Sequence, residues 1–221
     1  MRVTAADLQR AWPPRAKYLL FGAIGLMMLI VLQNNERFLI DPKDPIWQHY
    51  QPFKWYLLPH GIAGTLALFL GVLQFSDKLR ARYLKWHRMA GRVYVGCVFV
   101  LGPLGYYIQR TLGQPNWTIA TIVDASLFMS TTAMGLWMVK SGNIQAHRQW
   151  MTRSYAVAII FLEVRIIEAV PWFVDRIDPN SAVELWICLV LALPMADLVL
   201  QCEEMLKKRA STKRVAMAAA V

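Results

Sequence analysis

Two short stretches of the chain repeat one arrangement of side chains able to hold a metal, an anion or a proton. One reads His87-Arg88-Met-Ala-Gly-Arg92-Val-Tyr94, the other His147-Arg148-Gln-Trp-Met-Thr-Arg153-Ser-Tyr155. In each, a His-Arg pair is followed by a second arginine and, two residues later, by a tyrosine. Neutral imidazoles can ligate a metal, and guanidinium forks suit carboxylates and phosphates. A third histidine, His60, and the ionisable residues Asp124, Glu163, Arg165, Glu168, Glu184 and Asp197 lie within long apolar runs. Charge in such a setting costs at least about 2.5–3.5 kcal/mol per residue. These groups therefore mark either a site for a proton or a quinone head group, or a network that neutralises itself.

The elements that position them are membrane helices. The chain of 221 residues is 57% hydrophobic and 17% charged, against about 45–50% and about 25% in an average soluble domain. That excess of apolar surface excludes intrinsic disorder, collagen-like repeats and disulfide-rich secreted scaffolds, and makes the bilayer the solvent. Spanning about 30 Å of hydrocarbon takes roughly 20 apolar residues. Six runs come close: 18–33, 56–75, 90–108, 118–139, 154–174 and 183–202. The fold class expected is all-α: one polytopic membrane bundle over residues 1–221, with six transmembrane helices and a four-helix core from the second to the fifth. The first run has a basic flank but no small-residue cleavage site after it, so it reads as a retained helix. Small-residue stretches from Gly64 to Gly71 and from Ser130 to Gly135 suit close helix contact.

Lys and Arg split 18 to 5 between alternate loops, with Arg165 inside a span. This asymmetry places both termini in the cytoplasm. The net charge of +10 lies between apolar runs rather than on one face, so it reads as topology signals and contact with an anionic inner leaflet, not as nucleic-acid binding. Tryptophans fall near both expected boundaries, as interfacial belts do. The loop 34–55, with two Asp-Pro pairs and Trp47, Tyr50, Phe53 and Trp55, is expected to lie on the outer leaflet as a partial lid. The basic tail after Cys202 is expected to extend as a short helix on the inner leaflet. Cys97, Cys188 and Cys202 lack metal spacing and read as small core hydrophobes.

Counting about 1.5 Å per residue, His60, Asp124, Arg165 and Glu168 reach overlapping depths toward the outer end. If their helices are neighbours, they form one cluster opening outward. In the functional reading Asp124 or Glu168 carries a proton and His60 is a hydrogen-bond partner for a quinone. In the structural reading Arg165 pairs with Glu168 at i, i+3 and the cluster only fixes packing. Glu184, near the outer interface, is expected to be solvated.

The pattern Pro59-His60-Gly61, Gly71-Val-Leu-Gln74-Phe75, Leu79-Arg80, His87-Arg88, Gly91-Arg92-Val-Tyr94, His147-Arg148-Gln-Trp150-Met151-Thr-Arg153-Ser-Tyr155 and Arg165 resembles a bacterial family of predicted membrane proteins of unknown function, the domain of unknown function 2306 type. That resemblance implies a multi-helix bacterial inner-membrane protein and little about activity. A looser one is to cytochrome b561-like four-helix haem domains, whose His-Arg-x-x-Gly signature is similar to His87-Arg88-Met-Ala-Gly91. Carried over by position, it implies His87 and His147 as the two axial ligands of one haem b on the cytoplasmic side. Arg88, Arg92, Arg148 and Arg153 would be placed at its propionates. The second haem of that pattern is not expected, because the fourth span offers Asp124 where a histidine opposite His60 would be needed.

Three functions follow as expectations: a haem-bearing electron carrier exchanging electrons with a quinone or a redox partner protein; a non-enzymatic accessory or assembly subunit, with the His-Arg pairs as interfacial anchors; and a small proton-coupled transporter, the weakest because no inverted repeat accompanies the acids. No HExxH, Walker loop or GxGxxG occurs to suggest hydrolysis or nucleotide binding.

Overall fold

Local punctuation decides where each helix begins and ends. The computed structural model describes residues 14–34, 41, 43, 45, 51–178 and 180–219, and every regular element among them is helical. Helix α1 (Pro14–Asn34) comes first, and a 3-10 turn (Gln51–Phe53) leads into α2 (Lys54–Gln74). The Ser76 hydroxyl accepts from the Leu79 N–H at 3.3 Å and so caps α3 (Asp77–Arg82). Helix α4 (Leu84–Leu112) ends on Gly113 at φ +71°, a left-handed position that suits a residue without Cβ. Pro115 then opens α5 (Pro115–Lys140) at its first turn. The Asn143 side chain accepts from the Ala146 N–H at 3.0 Å, capping α6 (Ile144–Ala158). Short helices α7 (Ile160–Glu168) and α8 (Pro171–Val174) follow, and α9 (Val183–Ala219) closes the chain.

Four helices are long and apolar enough to cross a membrane: Gln51–Gln74, Leu84–Leu112, Pro115–Lys140 and Val183–Leu206. The two other expected spans take different forms. Helix α1 contributes a shorter apolar stretch, Gly22–Val31. The run 154–174 is not one helix. Its helix starts earlier, at the Asn143 cap, pauses at Ile159 and ends at Glu168. The end has a local cause: Pro171 disfavours the helical conformation in the residue before it, and Val170 is extended at φ −97°, ψ 105°. Most of the expected lid, including Trp47 and Tyr50, lies outside the described residues. So do Arg2 and Arg10 of the N-terminal flank.

Helices α2 and α4 form one hairpin and α5 and α6 another, joined along α4 and α5. A narrower contact between α2 and α6 completes a four-helix core, and α9 runs along α6 and α7. The core has Ile144–Ala158 as its fourth member, a helix that overlaps the expected fifth span 154–174 only at its end. Its centre is tight: Tyr94, Val98, Thr132 and Ser154 are almost inaccessible. Large apolar side chains face outward elsewhere, Val190 at 69% and Leu66 at 42% exposed among them. A bundle with its aliphatic surface turned outward is built for hydrocarbon rather than water.

Candidate functional site

The two His-Arg stretches meet at the end of the core where α2 and α5 finish and α4 and α6 begin, the basic end. His147 sits in the first turn of α6, and its Nδ1–H donates to the Gly135 carbonyl oxygen of α5 at 2.7 Å. A carbonyl can only accept, so Nδ1 carries the proton and Nε2 keeps the lone pair. His87, in the first turn of α4, lies close enough to His147, Arg80 and Arg88 for their charges to act on it. Gln74, the last residue of α2, reaches the same ring. With the amide turned to satisfy both of its ends, its nitrogen donates to the His87 carbonyl oxygen at 3.1 Å and to His87 Nδ1 at 2.9 Å. Its oxygen then accepts from the Gly91 N–H at 3.3 Å.

Of the four arginines in the two stretches, two are engaged. Arg153 reaches Asp197 of α9 through Nε at 2.8 Å and through a terminal nitrogen at 2.7 Å, and lies over the Trp150 ring. Arg148 pairs with Glu203, also on α9, at 3.0 Å. Arg88 and Arg92 are exposed and make no ion pair among the described residues.

The tyrosines of the two stretches converge one level deeper. Tyr94 and the Ser154 hydroxyl share a hydrogen bond of 2.8 Å, and Ser154 shares another of 2.7 Å with Thr132. Thr132 donates to the Phe128 carbonyl of its own helix. The Tyr155 hydroxyl donates to the Leu68 carbonyl at 3.2 Å. Both rings lie against Gly71, where a Cβ would collide with Tyr155 and crowd Tyr94. The repeat therefore does structural work: it brings one tyrosine from each hairpin onto the same glycine of α2.

The far half holds the remaining candidates. His60 of α2 lies against Gly105 of α4 beside Thr121 of α5, and its Nδ1 is buried without a hydrogen-bond partner. Asp124 of α5 and Glu163 of α7 both lie within electrostatic reach of the Cys188 thiol on α9, Glu163 the nearer of the two. Asp124 Oδ1 is likewise buried without a hydrogen-bond partner. Arg165 and Glu168 form an ion pair of 2.7 Å along α7, the guanidinium lying over Phe161. His60 and Asp124 share no hydrogen bond or ion pair with that pair among the described residues. Glu184 departs from the solvated position expected of it. It is 7% exposed on the buried face that continues through Leu185, Cys188 and Leu189, and its Oε2 has no hydrogen-bond partner.

Sequence reasoning named Gln74 only within the family pattern, without a role, and missed Gln109, Glu203 and the engagement of Asp197. For the acids a signal existed. Arg148 and Arg153 are five residues apart and Asp197 and Glu203 six, near the basic ends of two runs of opposite direction. That spacing pairs Arg148 with Glu203 and Arg153 with Asp197 in an antiparallel contact. Nothing in the sequence marks Gln109, whose Oε1 is buried without a hydrogen-bond partner in α4.

No group of three or more metal-ligating side chains is present among the described residues. No curated protein and no solved structure matches the chain. A family model described as a predicted membrane protein (DUF2306) matches residues 57–200, from α2 through most of the membrane part of α9. That interval holds both His-Arg hairpins and the far-half acids, and the chain belongs to the DUF2306 family of predicted membrane proteins.

Proposed function

We propose that the chain is a multi-pass protein of the bacterial inner membrane, with six spans and both termini cytoplasmic. In this reading it holds one b-type haem between His87 and His147 and exchanges electrons with a quinone. The observation that carries the reading is the convergence of those two histidines, one from each hairpin, with His147 held in the tautomer an axial ligand needs. The donor set fits a haem with one adjustment. His147 offers its Nε2 lone pair as it stands. His87 offers the same only when the Gln74 amide gives up donating to Nδ1. Arg88 and Arg92, exposed and without ion pairs among the described residues, suit the propionates. Arg148 and Arg153 are withdrawn from that role by Glu203 and Asp197.

A haem bound there supplies one-electron transfer. The chain's own part is positional. The Gly135 carbonyl fixes the His147 ring, and the Tyr94–Ser154–Thr132 network seals the core above the site. In this reading the unpartnered His60 Nδ1 and Asp124 Oδ1 of the far half are the groups that would hydrogen-bond a quinone head group, with Asp124 taking or giving its proton. Glu168 is committed to Arg165, which leaves Asp124 the better proton carrier of the two.

A second reading, a non-enzymatic accessory subunit whose polar groups fix helix packing, is favoured by the clamp of Arg148 and Arg153 onto α9. An absorption spectrum of the purified protein, oxidised and then dithionite-reduced, with haem counted per chain, separates the two. A reduced b-type band that is lost in His87→Ala and His147→Ala but kept in His60→Ala supports the haem reading. A featureless spectrum from haem-replete cells, or equal retention in all three variants, overturns it and leaves the accessory reading.

A further inference from the structure

The two histidines of the repeat are held by unlike partners. His147 Nδ1 meets a main-chain carbonyl, which can accept and nothing else. His87 Nδ1 meets a side-chain amide, which can donate or accept according to which way it faces. As it stands the amide donates, so a neutral His87 ring carries its proton on Nε2. The pair is thus complementary, with an N–H on His87 Nε2 and a lone pair on His147 Nε2. A metal needs two lone pairs. A reversed amide would accept from His87 Nδ1–H and release the Nε2 lone pair. That turn would also set the amide oxygen against the His87 carbonyl and its nitrogen against the Gly91 N–H, the two contacts at 3.1 and 3.3 Å that favour the present orientation.

We propose that Gln74 is a positioning residue: the direction of its amide decides which ring nitrogen of His87 carries the proton, and so whether this ring offers a donor or a ligand at the basic end. The inference rests on the reading that His87 and His147 form the working pair, but the tautomer is a property of the haem-free chain. Gln74 brackets a single helical step, from the His87 carbonyl to the Gly91 N–H, so the end of α2 is tied to the start of α4 beside the ring it governs. The arrangement differs from the one at His147, where no side chain intervenes and the tautomer is fixed by the fold.

The test is 15N NMR of the full haem-free chain with labelled histidine, in detergent or nanodiscs, at a pH where both rings are neutral. Wild type is expected to show His87 protonated on Nε2 and His147 on Nδ1. Gln74→Glu, whose carboxylate only accepts, should move the His87 proton to Nδ1 and leave His147 unchanged. Gln74→Leu should leave His87 a mixture of tautomers. An unchanged His147 signal certifies that a variant is folded, and the near-isosteric glutamate keeps the test available where leucine does not fold. The same His87 tautomer in wild type and Gln74→Glu overturns the proposal. Haem titration into the same samples reads the earlier proposal separately. If haem binds, Gln74→Glu should hold it about 10–100-fold more tightly than Gln74→Leu, the usual scale for a group that orients a metal-binding histidine. If none of the chains takes up haem, the haem reading fails while the tautomer result stands.

Discussion

The basic end and the far half of this bundle solve opposite problems with similar residues. At the basic end polar groups find partners across helices: Gln74 with His87, His147 with Gly135, Arg148 with Glu203 and Arg153 with Asp197. The level above is equally closed, through Tyr94, Ser154 and Thr132. In the far half, buried atoms of His60, Gln109, Asp124 and Glu184 face the interior without a hydrogen bond. A buried polar group left without any partner costs roughly 1–3 kcal/mol, so each of these atoms has a hydrogen bond left to make with water or a ligand. The comparison separates a basic end whose polar side chains are paired across helices from a far half in which several buried polar atoms are not. It also predicts that substitutions in the two regions differ in what they change.

The largest effect is expected at the glycine where the two hairpins touch. Gly71→Leu drives a side chain into the Tyr155 ring, which is itself tied to the Leu68 carbonyl. Overpacking of a filled core costs about 1–3 kcal/mol and sometimes more, and here the obstacle is a buried ring rather than a mobile tip. The variant should unfold in detergent well before wild type, or yield little folded protein. Normal thermal stability would mean that the α2–α6 contact is looser than the geometry implies.

Tyr94→Phe comes next. It removes the hydroxyl bonded to Ser154 and leaves the ring in place, so a loss of about 1–3 kcal/mol is expected, read as a lower midpoint in thermal or denaturant unfolding. Ser154 keeps Thr132 as a partner, which puts the loss toward the lower part of that range. Arg148→Ala should cost less, about 0.2–1 kcal/mol, because that side chain is 40% exposed and its ion pair is screened. A loss in Arg148→Ala as large as in Tyr94→Phe would show that the clamp onto α9, and not the tyrosine network, carries the stability of the basic end.

How far the sequence announces all this depends on the range of each interaction. Four long spans are legible because hydropathy is summed over twenty or so neighbours. The fifth run misleads because apolarity continues through Ile159 and Pro171, where the backbone does not. The repeat could be seen as a pattern, and its tyrosines do end in one place, against Gly71. Its arginines were readable as cations, with a spacing that nearly matches that of Asp197 and Glu203. That Arg153 serves Asp197, 44 residues on, is decided by α9 lying along α6. Gln74 stands in the family pattern without a role for a related reason, since an amide at a helix end carries no charge or periodicity to show what it holds. Among the far-half residues, the i, i+3 pair of Arg165 and Glu168 is a local relation and was legible. That Asp124 of α5 and Glu163 of α7 both reach the neighbourhood of Cys188 on α9 is not local, and depth alone does not reveal it.

The smallest expected change in stability is the one that divides the two regions most sharply. Asp124→Asn keeps the size and shape of the side chain, and no hydrogen bond is lost from Oδ1 because none is made. The amide is also easier to bury than a carboxylate, since an ionised group inside the membrane adds a cost of at least about 2.5–3.5 kcal/mol. Folding should therefore stay within about 0.5 kcal/mol of wild type or improve, while quinone reduction or oxidation by the reconstituted protein falls, because the amide cannot exchange the proton. Unchanged turnover in a variant of unchanged stability would remove Asp124 from the proposed chemistry. A loss of stability as large as that of Tyr94→Phe would go further: Asp124 would then be part of the packing, and the far half would be no different in kind from the basic end.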